Sequence, residues 1–169
     1  MTRDGETALP DPAGRGRAMP DRRVAEALAA AEERCAAGRL RFTASRRRAF
    51  EILLRERRPI GAYAMLDRLR ESGLGTHPPA AYRALDFLVA HGFAHKIRRL
   101  NAFVACARPG HAHTPIILIC RACEAVEEAR FASAAAALAQ AAGVSGFRAE
   151  QAALEAEGLC AACAGEAPA

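Results

Sequence analysis

Two Cys-x-x-Cys motifs near the end of the chain most constrain its fold: Cys120 to Cys123 and Cys160 to Cys163. The two-residue gap lets both sulfurs of one motif reach the same ion from a tight turn, and the long segment between the motifs allows two strand ends to be joined. Four thiolates complete the tetrahedral shell of zinc, so we predict a structural zinc that contributes on the order of 10 kcal/mol to folding. Two disulfides, or one redox-active motif, are the alternatives.

Length and composition predict a small protein without membrane segments. The 169 residues suffice for one or two domains near the lower size limit for a self-sufficient core. There is no run of about 18 apolar residues and no apolar stretch typical of a signal peptide near the N-terminus, so we expect a cytoplasmic protein. In that reducing compartment, the six cysteines are better explained by metal binding than by disulfides.

Positive charge is concentrated in the first two thirds of the sequence. Residues 1 to 104 contain 20 basic and 12 acidic side chains, a net charge of +8, whereas residues 105 to 169 contain 4 and 7, a net charge of −3. Lys96 is the single lysine, and arginine is well suited to bind phosphates and guanine edges. This asymmetry predicts a nucleic-acid-binding front part, with a solvated arginine-rich surface as the alternative.

Apolar residues recur at helical spacing in the front part. Residues 1 to 20 lack this periodicity and are predicted to be a disordered tail, as is the short segment 164 to 169. Four amphipathic helices are predicted, from Asp21 to near Gly38, from about Ser45, from about Gly61 to Ser72, and from Pro78 to Gly92. Cys35 is expected on the buried face of the first helix, and Ala81, Leu85, Leu88 and Val89 on that of the fourth.

Two short strands, at 93 to 97 and 101 to 106, directly follow these helices and predict a β-hairpin. A helix-turn-helix followed by a hairpin is the pattern of a winged helix. Tyr82 and Arg83 lie away from the apolar stripe near the N-terminal end of the last helix, where a ring can contact a thymine methyl and a guanidinium a phosphate or guanine. Arg98 and Arg99 at the tip of the hairpin are expected to meet the DNA backbone or minor groove.

The segment after residue 105 reads as a second, α/β domain. Strands are predicted at 116 to 120 and 125 to 130, a helix at 131 to 142, and a strand at 147 to 159. Propensity favours a helix in part of the last segment, but a strand would bring Cys160 beside Cys120. The predicted fold class is α+β, with a winged helix at 21 to 100, a hinge at 101 to 105 and a dimerisation and metal-binding domain at 106 to 163.

The order of these elements, together with six sequence segments, resembles the ferric uptake regulator family of metal-sensing repressors, and most closely its zinc branch. The segments are PIGAYAMLDRL (59 to 69), AYRALDFL (81 to 88), GFAHKI (92 to 97), NAFVAC (101 to 106), LICRAC (118 to 123) and EGLCAAC (157 to 163). Two departures are evident. Ala80-Ala81 stands where the family usually has Thr-Val, and PGHAH (109 to 113) replaces the histidine-rich segment of the iron and peroxide sensors.

The resemblance implies a sensing site formed by His95, Cys106, His113 and Glu128. Two neutral imidazoles, one thiolate and one carboxylate neutralise a dication, and this mixed set with a soft sulfur suits tetrahedral zinc. His111 is the rival of His113, because the two share one face of an extended chain. The resemblance also adds Tyr63 to the expected DNA contacts, whereas His77 and His91 are expected to be a loop residue and a surface group at a helix C-terminus.

The expected function is that of a homodimeric, zinc-responsive transcriptional repressor of zinc uptake genes. It would bind two zinc ions per subunit, one structural and one regulatory, and a palindromic double-stranded DNA operator. No catalytic constellation is found in the sequence, so we do not expect an enzyme. An iron- or peroxide-sensing repressor of the same family and a zinc-ribbon redox protein using Cys120 and Cys123 are the alternatives.

Overall fold

The computed structural model describes residues 19–56, 58–75, 77–111, 113–129, 132–150 and 152–165. The predicted N-terminal tail therefore lies outside the described residues except for its last two positions, and residues 166 to 169 of the C-terminal tail lie outside them as well.

All four predicted front helices are present. They are α1 (Asp21–Ala37), α2 (Ala44–Arg55), α3 (Ala62–Glu71) and α4 (Pro78–Ala90). The Thr43 hydroxyl accepts a hydrogen bond from the Arg46 N–H at 3.4 Å and caps α2, and Pro78 opens α4 at a position where a helix needs no amide hydrogen. Gly92 follows α4 with a φ of +68°, a left-handed conformation that allows the chain to leave the helix.

The apolar faces of these helices form the main core. Phe50, Met65 and Leu85 are fully buried there, and Cys35 is buried at 1% exposure as predicted. The prediction that Val89 faces the core was wrong, because this residue is 36% exposed. The buried arc of α4 extends instead to Phe87, whose ring packs near that of Phe42 at 6.3 Å.

A three-stranded antiparallel sheet completes the winged helix. Its strands are β1 (Ile60–Gly61), β2 (Ala94–Ile97) and β3 (Ala102–Ala105), in the order β1-β3-β2. The hairpin of β2 and β3, here called the wing, was predicted, whereas β1 was not. Residues 102 to 105 of the segment expected as a hinge form β3.

The C-terminal part has a second sheet of three strands, β4 (Ile116–Cys120), β5 (Val126–Ala129) and β6 (Leu154–Gly158), in the order β5-β4-β6. Helix α5 (Ala132–Val144) connects β5 to β6, and a short α6 (Ala161–Ala164) follows. The strand predicted before Cys160 is present, but it is shorter than the predicted 147 to 159. It pairs in parallel with β4, and this pairing overrides the local helix propensity.

The wing packs against the C-terminal sheet through a small apolar cluster. Ile97 of β2 is fully buried beside Ile117 and Ile119 of β4, and Val104 and Val126 pack against them. These residues belong to both sheets, so this contact fixes how the wing lies on the second sheet. Within the described residues, no helix is both long enough and apolar enough to cross a membrane.

Candidate metal centres

The two Cys-x-x-Cys motifs meet at one end of the C-terminal sheet. Cys120 ends β4 and Cys123 lies in the next turn, whereas Cys160 and Cys163 follow β6. Because β4 and β6 are parallel and Cys120 lies opposite Gly158, the two motifs leave the sheet side by side. The four sulfur atoms lie within 4.8 Å of one another. These four residues are called the four-cysteine cluster below.

The sulfur positions fit a tetrahedral zinc ion. Zn–S bonds of about 2.3 Å place tetrahedral sulfurs about 3.8 Å apart, and Cys123 Sγ lies 3.8 Å from Cys160 Sγ. A disulfide would need about 2.05 Å, and none of the six cysteines is paired in a disulfide, which favours the zinc prediction over the disulfide alternative. The cluster fits the structural zinc site that the sequence predicts.

Hydrogen bonds to sulfur favour a thiolate in this cluster. The backbone N–H groups of Cys160, at 3.4 Å, and of Cys123 lower the pKa of Cys120 to about 6. Sulfur contacts with Cys160 and Cys123 raise the pKa of Cys163 to about 12. The first negative charge therefore forms readily near neutral pH, whereas the full set of thiolates needs a bound cation.

A second cluster lies between the wing and the C-terminal sheet. His95 is on β2, Cys106 follows β3, His113 precedes β4 and Glu128 is on β5. Their ligand atoms lie within 4.8 Å of one another. The structure thus brings together all four residues that the resemblance implied.

Distances within this second cluster also match zinc coordination. Zinc bonds of about 2.3 Å to sulfur and about 2.0–2.1 Å to nitrogen or oxygen imply tetrahedral separations of about 3.6 Å and about 3.3–3.4 Å. Cys106 Sγ lies 3.6 Å from His113 Nε2, and His95 Nε2 lies 3.3 Å from Glu128 Oε2. His113 Nε2 lies closer to Glu128 Oε1, at 2.7 Å, a hydrogen-bonding distance that would lengthen if both atoms bound one ion.

The two imidazoles present nitrogen atoms to this cluster. His95 Nε2 is buried and has no hydrogen-bond partner among the described residues, an unfavourable state that a metal ion would relieve. His113 Nδ1 lies 2.7 Å from the carbonyl oxygen of His111. When a metal binds, donation from Nδ1–H to that carbonyl would leave the Nε2 lone pair to the ion, an arrangement common for histidine ligands.

The carboxylate and the thiol differ in readiness to bind a cation. Burial alone would raise the pKa of Glu128, but the His95 imidazole, the Ala107 N–H at 2.9 Å and His113 outweigh burial and lower this pKa to about 2. Burial raises the pKa of the Cys106 thiol to about 11. At neutral pH Glu128 is therefore already ionised, whereas Cys106 must lose a proton when a metal binds.

The remaining histidines lie outside the two clusters. The ring of His111, the alternative ligand to His113, is exposed. Its backbone carbonyl oxygen contacts Nδ1 of His113 instead. His77 is exposed in the loop before α4, and His91 packs against Phe87 with ring centroids 4.4 Å apart.

The residues expected to contact DNA lie on three parts of the winged helix: α3, α4 and the wing tip. Tyr63 on α3 is 70% exposed and Tyr82 on α4 is 41% exposed. Arg83, also exposed on α4, donates from Nε to the Pro79 carbonyl oxygen at 3.2 Å. At the wing tip, the backbone N–H groups of Arg98 and Arg99 donate to Glu155, and the Arg99 guanidinium pairs with Glu157.

Sequence reasoning missed the cleft beside Arg83. This cleft of about 210 Å³ separates the start of α2 from α4, and its lining includes Thr43, Ser45, Arg46, Ala80, Arg83 and Ala84. Arg46 is held in place by its position over the Phe87 ring, 3.8 Å from the centroid. The sequence feature that could have indicated this cleft is Arg46, which lies in the first turn of α2 just after the Thr43 cap.

No protein-family model matches the chain. A curated protein of Escherichia coli strain K12, named zinc uptake regulation protein, is 38% identical over 141 residues, which cover 82% of this chain and 81% of that protein. The chain belongs to the zinc uptake regulator branch of the ferric uptake regulator family. A protein of the same name from Shigella flexneri gives the same values.

Solved structures of zinc uptake regulators share the fold. One, described as a zinc uptake regulator complexed with zinc and DNA, is 37% identical, covers 85% of this chain and 96% of its own, and has a TM-score of 0.80. The crystal structure of holo XcZur is 38% identical, covers 82% and 96%, and has a TM-score of 0.75. Zinc uptake regulators are transcription regulators rather than enzymes, which confirms the expectation that this chain is not an enzyme.

Proposed function

We propose that the chain is a zinc-responsive, DNA-binding transcriptional repressor that controls zinc uptake genes. The single observation that supports this most is the second cluster, because His95 belongs to the wing of the DNA-binding part and Glu128 to the C-terminal sheet. An ion held by His95, Cys106, His113 and Glu128 would join the two parts. As part of this proposal, the winged helix extends through β3 rather than ending at residue 100, and the dimerisation and metal-binding domain begins at residue 106.

The mechanism is a population shift between domain arrangements. In the metal-free protein, the cost of burying His95 Nε2 without a hydrogen-bond partner among the described residues opposes closure of the cluster, so several angles between the domains are populated. Zinc has affinity only for the arrangement in which the ligands meet, and it favours the angle at which the α4 helices reach DNA. By linkage, DNA must raise the affinity for zinc as much as zinc raises that for DNA.

Two zinc ions per subunit would then have different tasks. The four-cysteine cluster has no free coordination position and would hold its ion permanently as part of the fold. The second cluster includes neutral histidines and one thiol with a raised pKa, so its ion would exchange with the cellular zinc pool.

A homodimer would bury the apolar surface of the C-terminal part. Helix α5 is rich in alanine, and Val144 at its end and Phe147 beyond it are 86% and 68% exposed. On the sheet, Leu118 is 40% exposed. A second copy would cover such a surface, and its two-fold symmetry would call for a palindromic operator. Sedimentation velocity of the purified protein measures whether the dimer forms.

The test of the function is a metal titration of DNA binding. Protein with the second site emptied by a mild chelator, but with the four-cysteine zinc retained, would be mixed with an upstream fragment of a zinc-transporter gene. Zinc should restore tight binding, whereas Fe²⁺ and Mn²⁺ at the same free concentrations should not, because the N2SO ligand set with a thiolate suits zinc. Restoration by iron alone would identify an iron sensor instead.

Tyr63, Tyr82, Arg83, Arg98 and Arg99 are the proposed DNA contacts. Replacing Arg83 with alanine should weaken operator binding by about 1–3 kcal/mol if the guanidinium reads a base, or lower the salt slope by about one if it holds a phosphate. Fluorescence anisotropy at several salt concentrations separates these cases. Arg22→Ala is a matched control, because Arg22 pairs with Glu26 on the exposed face of α1. Wild-type affinity and salt slope in Arg83→Ala would contradict a reading role for α4.

Zinc binding at the second site should depend on pH with a sign set by Cys106. The raised pKa of this thiol, about 11, means that zinc must displace one proton at neutral pH, whereas Glu128, with a pKa of about 2, releases none. Zinc affinity should therefore rise about tenfold per pH unit between about pH 7 and pH 9 and fall as the pH is lowered. Competition with a chelator of known proton linkage measures this slope, and a flat profile would exclude Cys106 as a ligand.

A further inference from the structure

Two glutamates of the C-terminal sheet hold the tip of the wing. The turn after β2 begins at Arg98, whose backbone N–H donates to Glu155 Oε1 at 2.7 Å, and the N–H of Arg99 donates to Glu155 Oε2 at 3.2 Å. The Arg99 guanidinium pairs with Glu157 Oε2 at 2.5 Å. Both glutamates belong to β6, so the side chains of one strand contact both the backbone and the Arg99 side chain of the turn.

This contact lies at the opposite end of β2 from the second metal cluster. His95 near the start of β2 joins that cluster, Ile97 at its end packs on Ile117 and Ile119, and the following turn meets Glu155. The wing is therefore attached to the C-terminal sheet at three successive points. Only the first of them involves the proposed zinc ligands.

We propose that Glu155 is a positioning residue that sets the angle between the wing and the C-terminal sheet and thereby tunes zinc affinity at the second cluster. This inference rests on the proposed function for its consequence on DNA binding. A contact that exists only when the wing is docked raises the population of the docked arrangement. Because the four ligands meet only in that arrangement, apparent zinc affinity rises with its population.

Glu155 contributes more than Glu157 on physical grounds. One carboxylate accepts hydrogen bonds from two successive backbone N–H groups, and such charge-assisted bonds are among the stronger ones. The Arg99–Glu157 pair is 60% and 33% exposed, and exposed ion pairs add little. Its effect is instead to keep Arg99 on the protein, so this side chain must leave Glu157 before it can contact DNA.

The test compares Glu155→Ala with the matched control Glu127→Ala. Glu127 is an exposed residue of neighbouring β5, and its side chain has no hydrogen bond or ion pair with the part of the chain that the structure describes. Removing Glu155 should weaken zinc binding at the second cluster on the order of tenfold, measured by chelator competition, and speed hydrogen exchange at the Arg98 and Arg99 amides. The control should change neither quantity, and both variants should retain the four-cysteine zinc.

Unchanged zinc affinity and amide exchange in Glu155→Ala would overturn the positioning role. Glu155→Gln keeps one acceptor oxygen and should lose less affinity than Glu155→Ala; an equal loss in both variants together with loss of the four-cysteine zinc would indicate local unfolding and would also overturn it. Neither readout uses DNA. If zinc fails to restore DNA binding to the wild type while Glu155→Ala still weakens zinc binding, the proposed function fails and the positioning role stands.

Discussion

Replacing Cys120 with serine should abolish the fold of the C-terminal part and, with it, the proposed dimer. Cys120 is 4% exposed at the end of β4, and its sulfur accepts a hydrogen bond from the Cys160 N–H. Loss of one of four thiolates removes zinc binding worth on the order of 10 kcal/mol. A small domain is stable by only about 5–15 kcal/mol in total, so most of the stability of this part should be lost.

The front part should survive this change, because its core is separate. The four front helices pack around their own apolar cluster, which includes Phe50, Leu53 and Leu85 and contains no residue of the four-cysteine cluster. Cys120→Ser should therefore retain much of its helical circular dichroism but sediment as a monomer without structural zinc. Metal analysis and sedimentation velocity measure these two losses.

A second cysteine offers the matched control for this experiment. Cys35 is equally buried but lies on α1 and belongs to neither cluster, so Cys35→Ala should keep the zinc content and the oligomeric state of the wild type. A well-folded Cys120→Ser protein with the zinc content and oligomeric state of the wild type would disprove the structural role of the four-cysteine cluster.

Spacing rules predicted those features that depend on local pattern. The period of apolar residues located the four front helices closely, because each buries one face against a single core. Motif spacing located the four-cysteine cluster, since two residues between cysteines restrict both sulfurs to one ion. A strand before Cys160 was predicted despite the helix propensity of the segment, because a strand would bring the two motifs together. The pairing of β6 with β4 confirms this prediction.

Features that depend on tertiary contacts could not be predicted from the sequence pattern. The two-residue strand β1 exists only through pairing with β3, and no periodicity can signal so short an element. The sequence pattern allows either Val89 or Phe87 on the buried face of α4. In the structure it is Phe87 that is buried, beside the Phe42 ring. Spacing also could not separate His111 from His113, because only the folded chain shows that the His113 ring faces the cluster.

The contact of Glu155 with the wing tip had no sequence signal either. Acidic residues on an edge strand are common solvated side chains, and the two N–H groups that Glu155 binds lie 57 and 56 residues away along the chain. Such a contact becomes visible only when both sheets are placed together.

Replacing Cys106 with serine should remove the zinc response while leaving the fold intact. Cys106 is 3% exposed and supplies the sulfur of the second cluster, and a serine hydroxyl is a poor zinc ligand in its place. The variant should retain the structural zinc, since the four-cysteine cluster is formed by other residues. Its DNA affinity should stay at the weak, metal-free level, a loss of about 5–150-fold relative to zinc-loaded wild type for a coupling of about 1–3 kcal/mol.

The decisive measurement is operator affinity of Cys106→Ser at low and at saturating free zinc, with sedimentation velocity confirming the oligomeric state. His111→Ala is the matched control, because the His111 ring is exposed and only its backbone carbonyl, which alanine keeps, orients His113. This control should respond to zinc as the wild type does. A full zinc-dependent gain in Cys106→Ser would place the sensing site elsewhere, whereas tight binding without zinc would mean that the thiol holds the metal-free protein in its inactive arrangement.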